Sequence, residues 1–257
     1  MNPVLKEVIR TGSCKSPEGG TIKIQFGVSP EEGRFLQSII SELKPVVSLE
    51  VGLAYGISAL FICDALPKTD RTRHIVIDPY QLVGPSWGDS WKGIGLSNLK
   101  DAGFENIVEF HDLPSHIALP KLESQGVKID FAFIDGWHTF DHTLVDFFYI
   151  DRMLKVGGVV AIDDADWPAI RKVCRFIATN LSYTVFRCLA NGNSPAKFSL
   201  KGRVLRRAAN VSAKLRELLK PEFVEPDVAV NLLPGSRCIA FRKESQDSRR
   251  WDYHRSF

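Results

Sequence analysis

The chain alternates between short apolar runs and longer amphipathic stretches over most of its length. A short apolar run bounded by turn residues is typical of a buried strand, whereas apolar residues spaced three and four apart indicate a helix. Helical patterns lie between most of the apolar runs, which predicts a mostly parallel sheet covered on both faces. The seven predicted strands are Val46–Val51, His74–Ile77, Ile107–His111, Phe131–Ile134, Val159–Ile162, Tyr183–Phe186 and Cys238–Phe241.

The same pattern predicts a Rossmann-like α/β domain with an N-terminal extension, an insertion and a C-terminal tail. A helix is predicted from Ser29 to about Leu43, with Ser29 as N-cap, Pro30 in the first turn and Glu32 closing a capping box. One short strand is predicted earlier, at Thr21–Phe26. The predicted parts are an N-terminal extension, the α/β domain, a basic helical insertion before the last strand, and a polar tail, at 1–28, 29–189 with 237–245, 190–236 and 246–257.

The insertion contains a strongly basic stretch. Residues Lys197 to Lys220 include eight Lys or Arg residues and one acid, Glu217, and apolar residues recur there at helical spacing. A solvated helix that packs one face on the domain is one interpretation. A lid or partner surface for an acidic or phosphorylated substrate is the other.

Composition narrows the class of protein. The chain has 257 residues, of which 44% are hydrophobic and 25% charged, and its net charge is +3. This charge does not favour nucleic acid as a partner, and no apolar run is long enough to predict a membrane span. The first residues lack the pattern of a signal peptide, and the five scattered cysteines form no C-x-x-C pair. We therefore expect a cytoplasmic protein; the oligomeric state stays open, with a homo-oligomer as one alternative.

The most informative motif is the glycine turn Gly52-x-x-x-Gly56 after the first predicted strand. Such a turn lets a ligand approach bare backbone at a helix N-terminus. The spacing differs from the G-x-G-x-x-G of dinucleotide-binding proteins and lacks the Lys-Ser/Thr pair of a P-loop. Glu50, two residues earlier, favours a cationic ligand over a pyrophosphate. A purely structural turn is the alternative.

Acidic residues follow the predicted strands where ligands bind in such sheets. Asp78 is suited to accept both hydroxyls of a ribose, or it is a helix cap or surface acid. Asp112 is suited to accept from an adenine amino group, or it caps the next helix. The acids at these strand ends are Glu50, Asp78, Asp112, Asp135, Asp163 and Asp164.

Three of these acids predict a metal site. Adjacent parallel strands would bring Asp135 to the Asp163–Asp164 pair, and such carboxylates repel unless a cation lies between them. A hard divalent ion, above all Mg²⁺, matches this all-oxygen set. His138, about one helical turn after Asp135, is then a candidate general base.

Two alternatives use the same histidine. His138 and His142 have the i, i+4 spacing of a zinc-binding pair on one helix face, with Asp135 as third ligand. The glutamate found after the first histidine in zinc proteases is replaced by Thr139. The simplest alternative is that His138 only satisfies backbone groups at a helix start.

In combination these motifs resemble class I S-adenosylmethionine-dependent methyltransferases. The similarity is closest to small-molecule O-methyltransferases, including metal-dependent macrolide sugar enzymes and, more distantly, the catechol type. It covers roughly residues 30–190 and the last strand. The motifs that carry it are Leu49-Glu50-Val51-Gly52-x-x-x-Gly56, Asp78, Ile134-Asp135-Gly136-x-His138 and Gly157-Gly158-(x)4-Asp163-Asp164.

The resemblance implies a site for the methyl donor and a catalytic centre. Glu50, Gly52 and Gly56 would lie around the methionine part of the donor, Asp78 would hold the ribose, and Asp112 would lie near the adenine. The other implied cofactor-binding residues are Tyr55 and Asp135. The implied metal ligands are Asp135, Asp163 and Asp164, and the implied catalytic residues are His138 and Asp135. Catechol-type enzymes have Asn as the last metal ligand, where this chain has Asp164.

The expected function is O-methylation of a small-molecule hydroxyl, on a sugar or a phenol, with S-adenosylmethionine and a divalent metal. The glycine-rich segment 79–98, with Trp91, would cover the cofactor. A nicotinamide-dependent oxidoreductase and a non-catalytic nucleoside-binding protein are the alternatives on the same fold.

Overall fold

The computed structural model describes residues 1–85, 88, 90–190, 222, 225–253 and 255–257. The helices are α1 (Pro3–Thr11), α2 (Pro30–Leu43), α3 (Ile57–Ala65), α4 (Ile94–Asp101), α5 (Ser115–Ser124), α6 (Phe140–Met153) and α7 (Pro168–Asn180). The strands are β1 (Ser13–Lys15), β2 (Thr21–Lys23), β3 (Val47–Val51), β4 (Arg73–Ile77), β5 (Val108–His111), β6 (Ile129–Ile134), β7 (Leu154–Ile162), β8 (Tyr183–Ala190) and β9 (Ser236–Lys243). A short 3-10 helix spans Asp227–Val230.

Seven strands form one sheet in the order β5-β4-β3-β6-β7-β9-β8. Within the described part of the chain, β9 is the strand that runs antiparallel to its neighbours in this sheet. The predicted seven-stranded, mostly parallel sheet is therefore confirmed. The chain order reverses at β3, which lies between β4 and β6, and ligands in open α/β sheets bind beyond the strand ends at such a point.

Helices cover both faces of this sheet, as predicted. One apolar core packs α1 to α4 against one face, and a second packs α5 to α7 against the other. The sheet residues alternate between the two cores: Leu49 and Val51 of β3 face one core, whereas Phe131 and Phe133 of β6 face the other. Burial on both faces explains why these strands appear as continuous apolar runs in the sequence.

The N-terminal extension is more ordered than its composition indicates. Helix α1 begins after Asn2, whose side chain accepts a hydrogen bond from Val4 N, and buries Leu5 and Val8 in the core beside α3. The predicted strand at Thr21–Phe26 is shorter, and it pairs with β1 as a small antiparallel hairpin. The sequence gives little indication of α1 because its cap and its few apolar positions are adjacent to a Gly- and Ser-rich segment.

Helix α2 confirms the predicted start but corrects the capping box. Ser29 Oγ accepts from Glu32 N at 3.1 Å, as expected of an N-cap. The Glu32 carboxylate does not return to the helix start: it is fully buried, and neither oxygen has a hydrogen-bond partner in the described structure. The carboxylate instead faces the sheet edge that carries Asp163 and Arg237.

The basic stretch Lys197–Lys220 lies outside the described residues, so its predicted helix stays a prediction. In the described structure, no helix combines the length and apolar character needed to cross a membrane. All five cysteines belong to the described part of the chain and are free.

Candidate active site

The glycine turn between β3 and α3 is held directly against the neighbouring strand end. Gly52 has φ +91°, and a Cβ there would lie 2.1 Å from the backbone oxygen of Asp135. Gly52 N also donates to Ile77 O at 2.9 Å, which fixes the turn to β4. Glycine is therefore required both by the backbone conformation and by the close approach of β6.

Asp78, immediately after β4, holds the other side of this turn. Its Oδ2 accepts from Leu53 N and Ala54 N, both at 3.0 Å, and its Oδ1 accepts from Tyr80 N at 2.7 Å. The side chain is almost fully buried. Asp78 thus braces the turn, a function that the sequence did not indicate, and a ribose would have to share its acceptor oxygens.

Glu50 lies inside β3 rather than at the exposed end of the strand. It is fully buried, and its Oε2 lies 3.1 Å from His74 Nε2, while Ser48 Oγ lies 2.9 Å from His74 Nδ1. The second oxygen, Oε1, is buried and has no hydrogen-bond partner among the described residues. Asp112 differs from Glu50 in being exposed, one residue beyond β5.

The segment after β4 packs onto the glycine turn. The ring of Trp91 lies 5.2 Å from that of Tyr55 in an edge-to-face arrangement, and Gln81 Nε2 donates to Ala54 O at 2.9 Å. Helix α4 begins at Ile94, so the predicted loop over 79–98 ends earlier than expected. Trp87, which belongs to the same predicted cover, lies outside the described residues.

The predicted metal ligands follow two neighbouring strands. Asp135 N donates to Val51 O at 2.9 Å, and Asp163 N donates to Ile134 O at 3.1 Å. These bonds extend the ladder by one residue past β6 and β7 and place both carboxylates at the same edge. Asp164 has φ +50°, a left-handed conformation uncommon outside glycine, which turns the chain sharply after Asp163.

His138 lies between two of these acids. Its Nδ1 is 3.4 Å from Asp164 Oδ2, and its Nε2 is 4.0 Å from Asp135 Oδ1. The imidazole is about one third exposed and lies 5.4 Å from the ring of Trp167. This arrangement orients the imidazole and leaves one face open to a small molecule.

The structure corrects the zinc alternative. Helix α6 begins at Phe140, so His138 precedes it and does not share a helix face with His142. His142 Nδ1 instead lies 2.9 Å from the hydroxyl of Thr139. The expected helical turn between Asp135 and His138 is likewise an irregular loop.

Two residues that the sequence did not reveal complete the site. Arg237, at the start of β9, places its Nε 3.3 Å from Glu32 Oε2 and 3.7 Å from Asp163 Oδ1, and its Nη2 3.8 Å from Asp164 Oδ1. Because β9 is antiparallel, it begins at the edge where β6 and β7 end. The sequence could have indicated the contacts of Arg237 only if the antiparallel direction of β9 and the inward orientation of Glu32 had been known.

The crowded acids have strongly shifted affinities for protons. Burial, followed by the proximity of Asp163, raises the pKa of Glu32 to about 9. Burial and then the charge of Asp163 raise the pKa of Asp135 well above its ordinary range. Burial and Asp163 also raise the pKa of Asp164, against the opposing effect of His138 and Arg237. Strongly shifted carboxylates in one place are typical of functional sites.

A divalent ion at these acids would have to displace a cation that is already present, the guanidinium of Arg237. In the described structure, no group of three or more His, Cys, Asp or Glu residues could hold a metal ion. A guanidinium already lies beside Asp163 and Asp164, and it would repel a second cation there. The magnesium assignment to Asp135, Asp163 and Asp164 stays a prediction.

Comparison with known proteins identifies the same region. A family described as a methyltransferase domain matches residues 49–165. A caffeoyl-CoA O-methyltransferase of Stellaria longipes is 27% identical over 149 residues, which cover 55% of each chain. Catechol O-methyltransferase B of Danio rerio is 27% identical over 162 residues, covering 62% of this chain and 57% of the fish protein. The matched region thus spans little more than half of these relatives.

A solved structure supports the fold over a longer range. The O-methyltransferase from Bacillus cereus in complex with SAH superposes with a TM-score of 0.61 at 16% identity, covering 95% of this chain and 92% of that one. The match at 49–165 contains the glycine turn, the Asp135–His138 loop and the Asp163–Asp164 pair, which are the motifs brought together at one edge of the sheet. The chain therefore contains a region, residues 49–165, that matches a methyltransferase domain, and over little more than half of its length it is similar to caffeoyl-CoA and catechol O-methyltransferases.

Proposed function

We propose that this chain transfers a methyl group from S-adenosylmethionine to a hydroxyl oxygen of a small phenolic molecule. One observation carries the proposal: Gly52 of the turn is packed against the backbone of Asp135, whose loop also carries His138. A donor lying along the turn is therefore adjacent to the loop that carries His138, whose imidazole is partly exposed.

The turn residues fit a positively charged donor. Glu50 Oε1 is a buried carboxylate oxygen without a partner among the described residues, and a sulfonium or ammonium group would satisfy it. S-Adenosylmethionine supplies an activated methyl group on such a sulfonium. The proposed binding residues are Glu50, Gly52, Tyr55, Gly56, Asp78, Asp112 and Asp135.

The residues proposed to lie around the adenosine of the donor would mainly position it. Asp78 keeps the turn in place through its bonds to Leu53 N and Ala54 N, and its Oδ1 is the oxygen with fewer bonds. Asp112, exposed at the end of β5, would face the adenine. The packed pair of Tyr55 and Trp91 would exclude water from the donor.

His138 would act as the general base. The acceptor oxygen forms a bond to the methyl carbon while the carbon–sulfur bond breaks and its electron pair stays on sulfur. The hydroxyl proton passes to His138, which Asp164 orients at 3.4 Å and whose cationic form it stabilises. Alignment of donor and acceptor lowers the barrier by about 7–11 kcal/mol in well-oriented reactions.

Aromatic side chains around His138 support a phenolic acceptor over a sugar. Trp137 and Trp167 are 44% and 50% exposed, which is unusual for the largest aromatic side chain. A planar ring would cover both surfaces by stacking, whereas a sugar hydroxyl alone would not need two indoles. The sugar acceptor expected from the resemblance therefore stays the second choice.

Release of S-adenosylhomocysteine in the presence of candidate acceptors tests this function. We expect turnover with at least one ring-hydroxylated aromatic compound and little turnover with neutral sugars of similar size. Trp167→Ala should raise KM for the phenol while donor affinity is unchanged. Turnover with sugars alone would contradict the phenolic assignment. Release of S-adenosylhomocysteine at the same rate without any acceptor would contradict O-methylation.

A further inference from the structure

Arg237 is the one guanidinium that the described structure places in contact with the predicted metal ligands. Its backbone is fixed to the same edge, because Ala165 N donates to Arg237 O at 2.6 Å. The strand β9 thus fastens this residue to the loop that carries Asp163 and Asp164. The position of the cation is set by the sheet rather than by a mobile surface side chain.

The guanidinium contacts acids from two separate elements. Nε lies 3.3 Å from Glu32 of α2 and 3.7 Å from Asp163, and Nη2 lies 3.8 Å from Asp164. Nε is buried and has no hydrogen-bond partner within the described residues. About one third of the side chain stays exposed, which leaves donors free for a ligand oxygen.

Asp164 connects this cation to the proposed base. One of its oxygens faces His138 Nδ1 and the other faces Arg237 Nη2. An acceptor hydroxyl that reaches His138 therefore also comes close to a fixed positive charge. Such a charge stabilises the oxygen as it loses its proton.

Resting on the proposed methyl transfer, we propose that Arg237 is the resident cation of this acidic site and takes the place of a divalent metal. It neutralises Asp163 and Asp164, occupies the space between them and Glu32, and donates to the acceptor oxygen while His138 takes the proton. Arg237 keeps its own protons throughout the reaction. The site should consequently work without Mg²⁺.

A titration with Mn²⁺ tests whether Arg237 takes the place of a metal, and it does so without relying on turnover. The electron paramagnetic resonance signal of the free ion monitors the titration. The wild-type protein, freed of metal with EDTA, should bind Mn²⁺ at least tenfold more weakly than Arg237→Ala, in which the carboxylates are left without their cation. Arg237→Lys keeps the charge and should resemble the wild type. Arg242→Ala is the matched control, because Arg242 lies on the same strand but pairs with Glu42 at 3.8 Å.

Equal affinity for Mn²⁺ in the wild type and Arg237→Ala, or tighter binding by the wild type, overturns the proposal. Binding of S-adenosylmethionine, measured in parallel by thermal shift, separates this failure from failure of the proposed function. A protein that binds both S-adenosylmethionine and Mn²⁺ tightly is a metal-dependent methyltransferase. A protein that binds Mn²⁺ only in Arg237→Ala but never the donor keeps the resident cation and loses the function.

Discussion

Arg237 Nε lies 3.3 Å from Glu32 Oε2, joining the first turn of helix α2 to the start of the last strand. The two residues come from opposite ends of the chain and meet at the edge of the sheet where Asp135, Asp163 and Asp164 are gathered. Glu32 is fully buried, whereas Arg237 is partly exposed. The buried Glu32 thus helps to position Arg237, whose exposed part can reach a ligand.

Glu32 makes the stability of the ligand-free protein depend on pH. Its folded pKa of about 9 lies above the ordinary value of 4.5, so the stabilisation from its protonated form is complete below about 4.5 and is lost as the pH rises to 9. Glu32→Gln should remove this loss and raise stability at pH 9 by about 1–3 kcal/mol. Urea denaturation at pH 6 and pH 9 measures the effect.

Glu31→Gln is the matched control for that experiment, because Glu31 precedes Glu32 in the same helix turn but is exposed. It should leave the pH dependence of stability unchanged. An identical loss of stability between pH 6 and pH 9 in the wild type and in Glu32→Gln would show that another group causes it.

Gly52→Ala should damage both the fold and donor binding. The new Cβ would lie 2.1 Å from Asp135 O, so either the turn or the Asp135 loop must move. We expect a loss of about 1–3 kcal/mol in stability and at least a tenfold weaker affinity for S-adenosylmethionine, by calorimetry. Gly19→Ala is the control, since Gly19 has φ +92° and a Cβ added there would meet no atom within 4 Å. Equal effects of the two substitutions would refute the close approach.

The proposed base predicts a specific kinetic defect. His138→Ala should lower kcat by about 10²–10⁴ while the affinity for S-adenosylmethionine stays within twofold of the wild type. His142→Ala removes an imidazole from the same segment, one that lies beside Thr139 and the exposed Asp141 rather than beside Asp135 or Asp164, and it should change kcat little. A large loss of donor affinity in His138→Ala would assign the histidine to binding instead.

Away from the site, a buried ion pair carries stability. Lys243 is fully buried, and its Nζ lies 3.0 Å from Asp151 Oδ1, which also accepts from the hydroxyl of Tyr183 at 2.6 Å. Lys243→Ala should cost about 3–5 kcal/mol, because it leaves a carboxylate without its cation. Lys155→Ala breaks a half-exposed pair with Asp130 and should cost less than about 1 kcal/mol in the same denaturation experiment.

The sequence predicted the sheet well because its central strands, such as β6, are buried on both faces and therefore appear as apolar runs. It also located the edge that carries the site, since acids follow these runs at their carboxyl ends. Glu32 was misassigned because a capping box and an inward-facing acid share the same local pattern. Arg237 was missed because its partners depend on the direction of β9. The residues around Arg237 in the sequence do not show whether that strand is parallel or antiparallel.

Asp78 shows a second limit of the same kind. An acid after the second strand fits a ribose by spacing, but the structure also binds it to Leu53 N and Ala54 N of the turn. Every residue except proline carries a backbone donor, so these bonds leave no sequence signal. Loss of donor affinity in a variant of Asp78 would therefore report on the turn as well as on the ribose.

The most direct test of the methyl-donor site is calorimetric titration of S-adenosylmethionine into the metal-free protein. We predict saturable binding at one site per chain, with S-adenosylhomocysteine competing for it and NADH failing to do so. Absence of binding to a protein whose circular dichroism confirms the α/β fold would contradict the central claim.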